Sequence, residues 1–292
     1  MTDRVAVQVA RAAAADLGEG PVWDDRDGEL VWLDITRHEV HRFDPSTGMD
    51  RSFDLGQPVG SVGLRNGGGL IAALRDGFAR VDDAGQSVFI APTEAENEAT
   101  RMNDGKVDPS GRFWAGSMAL DARPGAGTLY RLDPDGRVHA MVTDLAISNG
   151  LDWSADRRLM YFIDSPTYRV DVFDYDDETG AIRDRRAFCE IGSGETMPDG
   201  MTVDADGHLW VAVWGGSCVL RFAPDGTPSG RVALPASQVT SCAFGGADLR
   251  DLYITTASRG LTPGQRAREP YAGALFVCRP GPRGLPPHRF RG

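Results

Sequence analysis

The stretch MPDGMTVDADGHLWVA, residues 197–212, decides the fold. It opens on a polar residue and a glycine, Asp199-Gly200, and runs into the apolar strand Met201-Thr202-Val203. A turn of the form D-x-D-G follows, then an alternating strand, His208-Leu209-Trp210-Val211-Ala212, and later a third, Val219-Leu220-Arg221-Phe222. Alternation with period two is the mark of a half-buried strand. The same order recurs at Asp104-Gly105-Lys106-Val107-Asp108, Arg112-Phe113-Trp114-Ala115 and Thr128-Leu129-Tyr130-Arg131-Leu132. It recurs at Gly20-Pro21-Val22-Trp23-Asp24, Leu30-Val31-Trp32-Leu33-Asp34 and Val40-His41-Arg42-Phe43-Asp44.

Unit starts fall near Gly20, Gly60, Asn103, Asn149, Asp199 and Thr240. That period of roughly 40–50 residues is the range of propeller blades. Turns such as Arg26-Asp27-Gly28, Asp83-Ala84-Gly85, Pro109-Ser110-Gly111, Asp135-Gly136, Asp206-Gly207 and Asp225-Gly226 punctuate the units. They use residues that tolerate positive φ, which accounts for much of a glycine count of 36. Helical spacing of apolar residues never persists. The expectation is an all-β, six-bladed β-propeller in which residues 1–292 form one domain, although 292 residues alone would suggest two. Ring closure is expected from Val5-Ala6-Val7-Gln8-Val9 pairing with Ala274-Leu275-Phe276-Val277 of the last blade.

The rest of the composition narrows the function. A net charge of −11, with 42 acids against 31 bases, opposes a nucleic-acid partner. No apolar run approaches the roughly 18 residues of a membrane helix. The N-terminal apolar run is broken by Gln8 and Arg11, unlike a signal peptide. A cytoplasmic protein without membrane partners is expected. Cys189, Cys218, Cys242 and Cys278 form no C-x-x-C pair and read as small buried hydrophobes. The five histidines include no H-E-x-x-H, and His38 and His41 fall on opposite faces. The sole lysine, Lys106, precedes Val107, so there is no phosphate loop, and no G-x-S-x-G elbow occurs.

Polar residues at the unit starts should converge on the propeller axis. These are Glu19, Asn103-Asp104, Asn149 and Asp199, each beside a glycine and just ahead of an apolar strand. Asn-Gly and Asp-Gly are also common hairpin signals, so turn formation is the competing reading. Glu19 is a poor turn residue, and the donors are all oxygen, which suits hard cations such as Ca²⁺, Mg²⁺ or Mn²⁺.

The segments LGEGPVWD (17–24), RMNDGKVDPSGR (101–112), ISNGLDWS (147–154), MPDGMTVDADGHLWVA (197–212) and TSCAFGG (240–246) carry a resemblance. In order along the whole chain, they resemble the SMP-30/gluconolactonase/LRE family of regucalcin-like sugar lactonases. The resemblance implies a divalent metal on the axis: Ca²⁺ first, with Zn²⁺, Mn²⁺, Mg²⁺ and Fe²⁺ also compatible. It places Glu19, Asn149 and Asp199 as metal ligands and Arg101 and Asn103 as substrate contacts. Asp121 stands where regucalcin-like members have a Glu facing the sugar. The loop 121–127 would either cover the site or be a plain surface loop.

The implied reaction is hydrolysis of sugar lactones such as gluconolactone to aldonic acids. The metal would polarise the carbonyl, and Asp199 would act as general base. Arg101 could instead make only a structural ion pair. The rival functions are a non-catalytic calcium-binding regulator and an organophosphate or aryl-ester hydrolase on the same fold.

Overall fold

Short strands separated by glycine turns must bury one face, and they do so here in six sheets. The computed structural model describes residues 5–292. Five four-stranded antiparallel meanders follow one another along the chain, beginning with strands Gly18–Asp24, Val59–Arg65, Thr100–Val107, Ser148–Trp153 and Met197–Val203. The sixth sheet takes three strands from Val239–Gly245, Asp251–Thr256 and Leu275–Cys278, and its fourth, Val7–Arg11, from the other end of the chain. The first strands of the six sheets touch one another in a closed cycle, so they line a common axis. The protein is a six-bladed β-propeller.

The closing strand pairs as expected: Val7 lies opposite Cys278, Gln8 opposite Val277 and Val9 opposite Phe276. It runs over Val7–Arg11, two residues beyond the expected stretch. The last blade thus joins a strand from the start of the chain to three from near its end, which ties the ring shut. The chain's other end adds a strand that the sequence pattern does not announce. Arg289–Phe290 pairs in parallel with Val59–Arg65 of the second blade. Among the described residues no helix is long and apolar enough to cross a membrane.

The core is distributed between blades. Six apolar clusters fill the six seams, one between each neighbouring pair of sheets. The seam between the third and fourth blades holds Trp114, Trp153 and Tyr175, with Trp114 and Trp153 ring centroids 6.0 Å apart. Burying such side chains contributes roughly 1.5–3 kcal/mol each. All four cysteines are free and buried in these seams.

The six turn glycines, at positions 28, 85, 111, 136, 207 and 226, all take φ between +70° and +87°. Their aspartates have a second task. Asp108 caps its turn through the backbone N–H groups of Ser110 and Arg112, at 3.0 and 2.8 Å, while its other oxygen accepts the Trp114 indole N–H at 2.9 Å. Asp204 repeats this with Asp206, His208 and, at 2.9 Å, Trp210. Each of these two turns is thus bolted to a core tryptophan six residues later.

The inner strands carry the feature that builds the site. Each loses register once with its neighbour: between Glu19 and Val22, Val59 and Ser61, Met102 and Gly105, Ser148 and Leu151, Pro198 and Met201, and Val239 and Ser241. Such irregularities re-aim side chains. Glu19, Asn103, Asn149 and Asp199 therefore lie inside strands, at the break. The expected place just ahead of a strand is corrected, and the hairpin-turn reading falls.

Gly105, Gly150 and Gly200 let neighbouring inner strands approach. A methyl group on Gly150 would sit 2.5 Å from the backbone oxygen of Asp199. Gly150→Ala should therefore push the Asp199 strand outward and destabilise by roughly 1–3 kcal/mol, as overpacking does. Thermal melting of the variant checks this; an unchanged melting temperature would show that the axis is loosely packed.

Candidate functional site

All six inner strands share the break, and in four of them a polar side chain stands there, so four polar side chains reach the same level of the axis. Glu19, Asn103, Asn149 and Asp199 are buried, between 5% and 6% exposed. Asp104 lies just beyond them and is also buried. Their partners are sparse. Among the described residues Glu19 accepts only its neighbour's N–H, from Gly20 at 2.9 Å. The Asn149 amide nitrogen donates to Ser165 Oγ at 3.0 Å. Its Oδ1, and Oδ1 of Asp199, are buried with no hydrogen-bond partner among the described residues. A buried oxygen without a donor is costly, and native proteins keep few.

The electrostatics point the same way. Burial pushes the Glu19 carboxyl well above the usual range, and Asp199 and Asp104 add repulsion. Burial does the same to Asp199, reinforced by Asp104 and opposed by Asn149 and Arg101. Asp104 is raised to about 6, mainly by burial. Three acids crowded in a dry channel favour the charged state only when a cation joins them. The donor set, two carboxylates and an amide oxygen, fits a hard divalent cation. Among the described residues no group of three His, Cys, Asp or Glu side chains is arranged for a metal. The third donor here would be the amide of Asn149.

This charge arrangement makes a pH prediction. Asp104 holds its proton to about pH 6 in the folded chain, against 3.8 as its ordinary value. The folded state then binds more protons than the unfolded, so stability falls as pH rises through this window. Relative to Asp104→Asn, the chelator-treated wild type should lose ~2 kcal/mol between pH 4 and pH 7. Denaturant unfolding of both proteins across that range measures it; parallel curves would refute the raised carboxyl.

Arg101 and Asn103 are joined. Arg101 Nη1 donates to Asn103 Oδ1 at 2.7 Å and to the Met102 carbonyl at 2.9 Å. Asn103 in turn donates to the Ser148 carbonyl at 2.8 Å, across the seam to the next blade. The amide thus fixes the guanidinium. Arg101 makes no ion pair among the described residues, so the structural ion-pair alternative falls. Sequence reasoning missed the supports, Ser148 and Ser165, because nothing local marks a serine 16 or 45 residues away as a partner. Asp121 is not drawn into the group. Its side chain is 62% exposed and pairs with Arg123 at 3.2 Å, within the loop 121–127.

Past Asp104 the axis opens into a cavity of about 390 Å³, bordered by the C-terminal segment Leu285–His288. Lys106 Nζ bridges Asp152 Oδ2 and the Met201 carbonyl there, at 2.8 Å each. None of Glu19, Asn149 and Asp199 lines that cavity, so the oxygen cluster belongs to the opposite mouth, where the inner strands begin.

Comparison with known proteins bears on this geometry. A family model described as SMP-30/Gluconolactonase/LRE-like region matches residues 17–258. Regucalcin of Oryctolagus cuniculus is 41% identical over 283 residues, covering 94% of this chain and 95% of that protein. The crystal structure of a calcium-binding protein, regucalcin, from Agrobacterium tumefaciens superposes with a TM-score of 0.95 at 29% identity, covering 99% of this chain and 98% of that one. A luciferin-regenerating enzyme superposes with a TM-score of 0.92 at 31% identity, covering 99% and 100%.

Proposed function

This chain belongs to the SMP-30/gluconolactonase/LRE-like family, and from that premise we propose that it is a metal-dependent hydrolase opening sugar lactones to aldonic acids. The observation that carries the reading is the convergence of Glu19, Asn149 and Asp199, with two of their oxygens buried and without a hydrogen-bond partner among the described residues. These three residues would hold a divalent cation, Ca²⁺ by the donor chemistry. When bound, the cation supplies Lewis-acid polarisation of the lactone carbonyl.

The chain's own groups account for the remaining work. Asp199 accepts the proton of the attacking water. It is buried beside the other donors, with Oδ1 free of hydrogen-bond partners among the described residues, so it is placed to take that proton. As the ring C–O bond breaks, Asp199 returns the proton to the departing ring oxygen, leaving a hydroxy acid. Arg101, held by Asn103 and through it by Ser148, orients the polyol chain. The exposure of Asp121 supports a contact only if the loop 121–127 folds inward.

A panel of aldonolactones in a pH-drop assay, run before and after exhaustive chelation, tests the reading. Turnover that chelation removes and Ca²⁺ or Mn²⁺ restores is expected. Calcium binding without turnover of any lactone would instead support a non-catalytic regulator, the reading favoured by the calcium-binding description of the Agrobacterium relative. Turnover of aryl esters or organophosphates in preference to sugar lactones would point to the third class.

A further inference from the structure

The cavity past Asp104 is a compartment of its own. At about 390 Å³ it falls within the range of small-molecule sites, roughly 300–1,000 Å³. Val62, Val107, Trp153 and Phe244 give it apolar walls, and the C-terminal segment Leu285–His288 roofs it. That segment is pinned at one end to the fifth and sixth blades. The Ala205 N–H donates to the Arg283 carbonyl at 2.8 Å, and the Gly284 N–H to the Leu249 carbonyl at 2.7 Å. At the other end Arg289–Phe290 pairs with the second blade, and the Arg289 guanidinium meets Asp24 of the first at 2.8 Å. Between these anchors, residues 285–288 make no backbone hydrogen bond among the described residues, and Pro286 and Pro287 have no N–H to give. A span fastened only at its ends can lift without breaking the blades beneath it.

The floor of the cavity is polar and incompletely paired. Lys106 donates to Asp152 Oδ2 and to the Met201 carbonyl, which leaves one of its three N–H groups. Asp152 is already engaged: Oδ2 also accepts the Val203 N–H at 3.0 Å, and Oδ1 accepts the Trp153 N–H at 2.8 Å. Asp104 is nine-tenths buried. Its Oδ1 accepts the Gly105 N–H at 2.7 Å, and its Oδ2 has no donor among the described residues. His288 lines the cavity from the roof, and burial lowers its pKa, so the ring is neutral at pH 7.

Lys106 thus holds a spare donor and Asp104 a spare acceptor, one residue apart in the chain and lining one cavity. A charged guest would meet its own sign there: an anion faces Asp104 and Asp152, and a cation faces Lys106. Arg157 at the rim is paired with Asp177 at 3.4 Å. An uncharged group that gives one hydrogen bond and takes one suits both ends, and a primary carboxamide is such a group. We propose that this cavity is a second binding site, separate from the axial oxygen cluster, for a small apolar carboxamide whose carbonyl accepts from Lys106 and whose N–H donates to Asp104. The site does not depend on the lactonase reading, since it shares none of Glu19, Asn149 and Asp199.

The probe is benzamide, with benzoate and benzylamine as its anionic and cationic counterparts. Calorimetry is run in calcium-containing buffer, with excess gluconate present to occupy the other mouth. Benzamide should bind at the millimolar level of so small a ligand, and each charged counterpart should bind ~10-fold or more weakly. Ala243→Phe, which puts a ring into the cavity wall, should abolish binding. Lys106→Met should weaken it by ~5-fold or more. A second measurement needs no variant. Lys106 is the only lysine, so acetylation by an N-hydroxysuccinimide ester, read by mass spectrometry, reports on it directly. Saturating benzamide should slow acetylation of Lys106 by ~10-fold and leave the N-terminal amine unaffected. Absence of benzamide binding, binding unmoved by Ala243→Phe, or Lys106 acetylated equally fast with and without benzamide overturns the proposal. Tighter binding of benzoate or benzylamine than of benzamide overturns the uncharged ligand.

Discussion

Asp199→Ala should lower kcat for lactone hydrolysis by ~10³-fold, the usual worth of a positioned general base. It should also abolish the calcium dependence of thermal stability, since one of two carboxylate donors is gone. The fold should survive. Asp199 is buried among like charges, with Oδ1 unpartnered among the described residues, so removing it relieves repulsion in the metal-free chain. Asp199→Asn gives the cleaner comparison, because it keeps the volume and an oxygen donor. Loss of turnover in both variants, with melting temperatures at or above that of metal-free wild type, fits a catalytic carboxylate. Hydrolysis by Asp199→Ala at the wild-type rate would remove Asp199 from the mechanism and, with it, the main reason to read the axis as a reaction centre.

The largest effect on stability is expected far from that centre, at Asp108. Its carboxylate is fully buried. It accepts from the Trp114 indole at 2.9 Å, the Tyr175 hydroxyl at 2.8 Å and two backbone N–H groups, and it pairs with Arg112 Nε at 2.8 Å. Asp108→Ala leaves a buried guanidinium and several donors unsatisfied. Removing one partner of a buried pair costs about 3–5 kcal/mol, so the melting temperature should fall by roughly 10 °C. Tyr175 reaches Asp108 from the fourth blade, so the damage should spread across a seam. Calorimetry on the variant checks it; a drop no larger than that of an exposed turn aspartate such as Asp225 would show that the Asp108 network adds little.

These two residues differ in how much of their role a linear pattern can carry. Asp108 reads as a turn aspartate because Asp-Pro-Ser-Gly is a local signal. Its role as an acceptor for Trp114 and Tyr175 is not legible, since it depends on a side chain 67 residues away. Asp199 reads as an axial acid because the polar-glycine pair repeats once per unit. The isolation of its Oδ1 does not show in the repeat, because burial depends on all six inner strands closing around it.

By itself, the sequence determined the count of blades, the turn glycines with their positive φ, the strand that closes the ring and the register at which polar residues recur. All of these follow from local rules with short periods: alternation along a strand, the steric freedom of glycine, and a unit repeated every 40–50 residues. Only the tertiary structure decided which way the polar residues point. The breaks in the inner strands turn Glu19, Asn149 and Asp199 together on the axis, and they leave Asp121 outside, paired with Arg123. The reason is physical. A side chain's direction at a strand irregularity, and the charge state of an acid among other acids, depend on neighbours from other blades, and no local pattern records them.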